Sequence, residues 1–367
     1  MGSQVVLSLP HGRGNPRNSE GSFITLADGR IMFAYTRYYG ASWADEATAR
    51  VCARFSDDGG GSWSGRDVVL LENEGRQNVM SVSLLRLADG RIGLFYLRKN
   101  GPRDCRLRLR TSRDEGRTWG GPVLCIPAPG YHVVNNDRVI QLRTGRLIAP
   151  ASFHRCQGPQ GPKAGHAAID GRGIALFFLS DDGGRNWRES KDWWALPARS
   201  DAGLQEPGAV ELKDGRLYGW CRTSVGCQYE MVSADGGETW TPPAPSPFRA
   251  PCSPMSVKRI PATGDLLAVW NDHSGRLIKV RSKDAHNFVS TSWGRTPLAA
   301  AVSANDGAAW RRGKLIESDP TCGYCYIAIH FAGNAVLLAY CCGGGRRKSG
   351  VLQDLCIRRL SLDWLYA

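Results

Sequence analysis

No run of about 18 apolar residues occurs in this chain, which excludes a membrane-spanning helix. No glycine-rich loop of the phosphate-cradling kind is present, so no nucleotide site is expected. Of the metal motifs, a single C-x-x-C occurs, Cys322–Cys325. A structural zinc site needs four spaced ligands, usually two such pairs. No cofactor is therefore expected. The other ten cysteines are scattered, at a density far below that of a disulfide scaffold, and read as small buried side chains in strands. The first ten residues carry neither a charged segment nor a long apolar one, so no signal peptide is visible. Free thiols without an export signal lead to the expectation of a cytoplasmic protein. No low-complexity stretch or linker divides the 367 residues, and one domain, 1–367, is expected.

Positive charge is in excess: 47 Lys and Arg against 34 Asp and Glu give +13. The basic residues are scattered, and only Arg346-Arg347-Lys348 cluster. No nucleic-acid motif accompanies them, so the excess points to an anionic substrate or a solvated basic surface rather than to DNA or RNA. Hydrophobic residues make up 42% and charged residues 22%, values that allow a large core.

Glycine and tryptophan are plentiful, and their placement is periodic. Leu26-Ala27-Asp28-Gly29-Arg30 recurs as Leu87-Ala88-Asp89-Gly90-Arg91, with variants ending at Arg146, Arg216, Asp265 and Asn334. Each stands between two apolar, β-rich runs, and Asp-Gly or Thr-Gly supplies the positive φ of a tight hairpin. The pattern predicts six hairpins. A second repeat, S-x-D-x-G-x-[ST]-W, runs from Ser56 to Trp63 and returns at 112–119, 180–187 and 233–240, with a degraded copy at 303–310. Its Asp bonds the amides of its own turn, its Gly takes positive φ, and its Trp pins the turn to a sheet. These turns offer too few acidic ligands for calcium, so the motif reads as structural. The order hairpin, strand, Asp turn, strand gives about four antiparallel strands per unit. Six such units bury their faces when arranged radially, which predicts an all-β, six-bladed β-propeller. The last apolar run, Leu355 to Tyr366, is expected to share a sheet with the N-terminal segment.

Five Asp boxes in one chain resemble the sialidase (neuraminidase) superfamily. The resemblance implies an exo-acting, retaining glycoside hydrolase on a terminal carboxylate-bearing sugar, so an acidic glycan is the expected partner. In that family three arginines grip the carboxylate, a Glu activates a Tyr nucleophile, and an Asp is the acid/base. By position, Tyr326 matches the nucleophile, with Tyr324 as the fallback. Glu206 matches its base, and Asp45, preferred over Glu46, matches the acid/base. Arg17, Arg222 and Arg295 match the triad, and Arg37 a supporting arginine, although Arg17-Asn18-Ser19 departs from the family's Arg-Ile-Pro. Three converging arginines suit a carboxylate, because the guanidinium fork binds it bidentately and stays charged. A phenol avoids the repulsion that an anionic nucleophile would meet at a carboxylate-bearing anomeric carbon. His132 and Asn136, His154, and Asp272 open or follow the third and fifth units and are expected to line the pocket. They differ from the family's usual pattern, which leaves room for a ulosonic or uronic acid substrate. Two other readings stay open: a hydrolase or lyase of different chemistry using His132 or His154, and a non-catalytic carbohydrate-binding propeller.

Overall fold

A computed structural model describes residues 2–158, 168–279, 291–345 and 349–367. The basic cluster Arg346-Arg347-Lys348 lies outside them. The protein is all-β, with 25 strands and one terminal helix, α1 (Leu362–Tyr366), among the described residues. In chain order, β1 (Ser3–Leu9) precedes a four-stranded antiparallel sheet of β2 (Asn18–Thr25), β3 (Ile31–Tyr38), β4 (Ala49–Ser56) and β5 (Val68–Leu71). The next two units are β6 (Asn78–Arg86), β7 (Ile92–Gly101), β8 (Asp104–Ser112) and β9 (Val123–Leu124), then β10 (Gly130–Val133), β11 (Ile140–Gln141), β12 (Leu147–His154), β13 (Ile174–Ser180) and β14 (Arg188–Glu189). Two more four-stranded sheets follow. One is β15 (Gln205–Glu211), β16 (Leu217–Arg222), β17 (Cys227–Ser233) and β18 (Ala244–Arg249). The other is β19 (Ser256–Arg259), β20 (Leu266–Asn271), β21 (Leu298–Ser303) and β22 (Lys314–Glu317). The last sheet has the order β1-β25-β24-β23, from β23 (Cys325–Ala332), β24 (Ala335–Cys341) and β25 (Leu355–Ser361).

The expected pairing of the C-terminal run with the N-terminus is present: β25 pairs antiparallel with β1, from Ser3 opposite Leu360 to Leu9 opposite Leu355. One feature departs from separate four-stranded units. Gly130 and Tyr131 of β10 pair in parallel with Asp104 and Cys105 of β8, which joins the second and third units into one nine-stranded sheet.

The boxed turns behave as their chemistry requires. Asp58 accepts from the amides of Gly61 and Ser62 and from the Ser62 hydroxyl, while Ser56 Oγ bonds both Asp58 and the Gly60 amide. The same pattern holds at Asp114 and Asp235. At Asp182 the carboxamide of Asn186 takes the hydroxyl's place. Asn305 serves the degraded copy, accepting from the Ala309 amide and the Ser303 hydroxyl. The Trp packs as anticipated: Trp240 stacks on Phe177 with centroids 4.0 Å apart.

The first strands of the units lie against one another: β2 against β6 and β23, and β19 against β15 and β23. The polar segment Asn136-Asp137-Arg138 fills the space between them. Asn136 Nδ2 donates to the carbonyls of Gly21 and Tyr326. The Asp137 carboxylate accepts from Ser22 Oγ, Lys258 Nζ and the Ile329 amide, and the Asp137 amide donates to Val82 O. Arg138 donates to Ser256 Oγ and Met255 O and lies over Trp220. Three consecutive residues of one unit thus touch each of the other five.

Two outcomes follow. Asp137→Ala leaves the buried Ile329 amide without an acceptor and the Lys258 ammonium without its carboxylate, with the Ile329 carbonyl still bonded to it, and should cost about 3 kcal/mol or more in urea unfolding. Hydrogen bonds from the residue four positions on hold Asp58, Asp114 and Asp182 at about 2. These folded-state values lie below the unfolded value of about 3.9. Their stabilisation is therefore present above about pH 4 and is lost as pH falls toward 2. Thermal midpoints should drop through that window, and less steeply in an Asp58→Asn/Asp182→Asn variant.

Candidate active site

At one end of the first strands lies a cavity of about 970 Å³. Its wall is set by a backbone device that recurs from unit to unit. In β2, β6, β15 and β23 the ladder slips by a bulge, between Ser19 and Ser22, Met80 and Ser83, Gln205 and Gly208, and Cys325 and Ala328. Each bulge holds one non-glycine residue at positive φ: Glu20 (54°), Ser81 (59°), Glu206 (46°) and Tyr326 (60°). Such a conformation costs about 1 kcal/mol and concentrates at functional sites. All four residues line the cavity.

Among the anticipated residues, Tyr326, Glu206, Arg222, Arg295, Asp45 and His154 line this cavity together. Tyr326 donates its hydroxyl to Glu206 Oε1 at 3.3 Å. Arg222 Nη1 donates to Glu206 Oε2 at 2.9 Å, and its Nε to the Cys252 sulfur at 3.2 Å. Arg295 lies over the Tyr326 ring, 5.5 Å from the centroid, and its Nη1 donates to Cys325 Sγ at 3.1 Å. Its Nε, although buried, meets no hydrogen-bond partner. Burial would raise the Cys325 thiol, but the Cys341 hydrogen bond and Arg295 bring it down to about 7. Burial and the Glu206 carboxylate push the Tyr326 phenol well above its usual range, against the pull of Arg295 and Arg222. Tyr326 is therefore neutral at rest. His154 Nδ1 is 2.9 Å from Asp170 O and Nε2 is 3.3 Å from Ser152 Oγ.

Arg17 stands behind the wall, 1% exposed, stacked on Tyr38. Its Nη1 meets Asp45 at 2.5 Å and its Nη2 meets Glu20 at 3.0 Å. Both ends of its fork are occupied by the protein's own carboxylates. The other four expectations do not reach the cavity. Arg37 pairs with Asp67, because strand alternation sends it to the face of Tyr35 and Arg54, which also bond Asp67. His132 is buried against Phe153 and Phe178, and burial lowers it to about 4. Asn136 lies beneath the floor, bonded to the Tyr326 carbonyl. Asp272 caps a turn through the amide and hydroxyl of Ser274. The fallback, Tyr324, is buried edge-on to Tyr340 in the core, whereas Glu46 lines the cavity beside Asp45.

Sequence reasoning passed over Glu20, Ser81, Lys99 and Cys252, all of which line the cavity. A signal existed for two of them. Glu20 precedes the hairpin glycine Gly29 by nine residues, as Ser81 precedes Gly90 and Glu206 precedes Gly215.

Boxed turns, four-stranded antiparallel sheets and a cavity at the ends of their first strands define a BNR-repeat protein. The family model for the BNR repeat-like domain matches residues 29–337, and the chain belongs to that family. It is a member of the sialidase and BNR-repeat superfamily. An anhydrosialidase of Macrobdella decora is 29% identical over 143 residues, which span 38% of this chain and 17% of that protein. The fold is similar to that of the NanB sialidase from Streptococcus pneumoniae, with a TM-score of 0.71 at 15% identity over 100% of this chain and 71% of that one. It is equally similar to a protein of unknown function from Dyadobacter fermentans DSM 18053, with a TM-score of 0.71 at 16% identity over 98% and 99% of the two chains.

Proposed function

We propose that this protein is a retaining exo-glycoside hydrolase that removes a terminal carboxylate-bearing sugar, such as a sialic acid, on a six-bladed propeller. The observation that carries the reading is the Tyr326–Glu206–Arg222 chain of hydrogen bonds in the cavity wall, with Arg295 over the Tyr326 ring. Membership of the sialidase superfamily and the likeness to sialidase folds support it. Six hairpin units whose first strands lie side by side support the propeller.

The chemistry follows from the geometry. A neutral buried phenol is a weak nucleophile until a base takes its proton. Glu206 Oε1 is placed to take that proton as Tyr326 Oη bonds to the anomeric carbon. Arg222 holds the other oxygen of Glu206 and so fixes the direction of transfer. Arg222 and Arg295, which both line the cavity, are left to meet the substrate carboxylate. Asp45, at the cavity mouth with its side chain 35% exposed, gives a proton to the leaving oxygen. It then takes one from the water that releases the sugar. Two attacks at the same carbon retain its configuration.

The double pairing of Arg17 favours a grip on the carboxylate by two arginines rather than three. That observation keeps a second acidic sugar, ulosonic or uronic, in view.

Tyr326→Phe should lower turnover of an aryl α-glycoside of N-acetylneuraminic acid by about 10³-fold or more while leaving the unfolding midpoint unchanged. Full activity in that variant would remove the nucleophile assignment. Wild type inactive on this glycoside but active on a ulosonic or uronic glycoside would move the substrate. Binding of acidic glycans without turnover of any would make the protein a carbohydrate-binding propeller.

A further inference from the structure

Arg17 is the feature the proposed reaction leaves unexplained. It is a buried guanidinium whose two ends meet two different carboxylates, Asp45 at 2.5 Å and Glu20 at 3.0 Å. Glu20 stands at the same left-handed bulge that presents Glu206 and Tyr326, and it lines the same cavity. Its side chain is 4% exposed, and its Oε2 is bonded by Ser81 Oγ.

A general acid bonded to an arginine presents a difficulty. An opposite charge at this distance favours the ionised carboxylate, yet the acid must arrive protonated. A second carboxylate on the same arginine resolves it, because two negative charges close together oppose ionisation of both. Burial acts in the same direction on Glu20. It raises that carboxyl above its usual range, Arg17 opposes, and Asp45 adds to the rise. The other charged or titratable groups that face the pair are Lys99, Tyr38, Tyr131, Tyr326 and Cys105. Lys99 is the one cation among these five. Its ammonium donates to the main-chain carbonyl of Asp45 and lies 5.5 Å from the Tyr131 ring centroid.

We propose that Glu20 and Asp45 form a coupled carboxyl pair that shares one proton across Arg17, which makes Glu20 the positioning residue for proton delivery. The inference rests on the assignment of Asp45 as acid/base above. In the first step the shared proton passes from Asp45 to the glycosidic oxygen as the bond from that oxygen to the anomeric carbon breaks. The Tyr326 oxygen bonds to that carbon and its proton passes to Glu206. The pair is then dianionic, facing Arg17 and Lys99. In the second step Asp45 takes a proton from the attacking water, the bond to Tyr326 breaks, and Glu206 returns its proton to the phenol. The pair again holds one proton.

The test has two arms. Difference infrared spectra at neutral pH, wild type minus variant, should show the carbonyl stretch of one protonated carboxyl that is absent from both Glu20→Gln and Asp45→Asn. Absence of the band from wild type would overturn the proposal. So would its survival in Asp45→Asn, which would mean that burial alone holds the proton on Glu20. Asp45→Asn, at a part-exposed loop position, decides this even if Glu20→Gln does not fold. In the second arm, Glu20→Gln removes the neighbouring negative charge. The alkaline limb of the kcat/KM profile should therefore move down by about one pH unit or more. An unmoved limb would overturn the role. If wild type hydrolyses no acidic-sugar glycoside, the proposed reaction fails, while the infrared arm still decides whether the pair exists.

Discussion

The buried carboxylate of Asp137 ties the molecule together. It accepts from a hydroxyl of β2, an ammonium of β19 and an amide of β23, while its own amide bonds to β6. A strand in an antiparallel sheet has polar groups to satisfy on its free edge. Where first strands of neighbouring units lie against one another, those groups are shielded from water. The segment Asn136-Asp137-Arg138 supplies their partners from one unit and fixes the spacing of the others. The strand ends that carry the cavity are set by this spacing, so the distance between Glu206 and Tyr326, 120 residues apart, depends on it.

The cavity illustrates how a repeated backbone irregularity becomes chemistry. A bulge leaves one residue out of the ladder and turns its side chain out of the alternating pattern. Here the bulge occurs at matching places in four first strands and carries Glu20, Ser81, Glu206 and Tyr326. The local strain is repaid by neighbouring contacts, since each of these side chains bonds to another unit or to an arginine. Charge within the wall is balanced locally: Arg222 faces Glu206, and Arg17 faces Glu20 and Asp45. Arg295 faces a thiol instead of a carboxylate, which leaves its charge the least compensated of the three.

Much of the architecture was legible in the chain. The hairpins at Asp-Gly and the boxed turns are local structures, made by residues within eight positions of one another, so their signals survive in one dimension. The pairing of the C-terminal run with the N-terminus followed from counting strands. The parallel contact of β10 with β8 was not legible, because it depends on where a long connection happens to pass. In the site, Tyr326 and Tyr324 were separated only by the bulge at Cys325, which sends the first to the cavity and leaves the second in the core. Arg37 was displaced by strand alternation toward Asp67, a partner 30 residues away that no motif announces.

The sequence by itself determined the repeating unit, the turns that bound it and the chain order of the polar residues at strand starts, because these rest on backbone preferences and on side chains that bond their own turn. Only the tertiary structure decided which of those residues meet. Glu20, Asp45, Glu206, Arg222, Arg295 and Tyr326 come from four units, and side chains that distant in sequence become neighbours only when the units are packed around their shared polar centre. It also decided that Arg17 is bound by two carboxylates, since the charge a buried guanidinium answers is set by what packing places at each end of its fork.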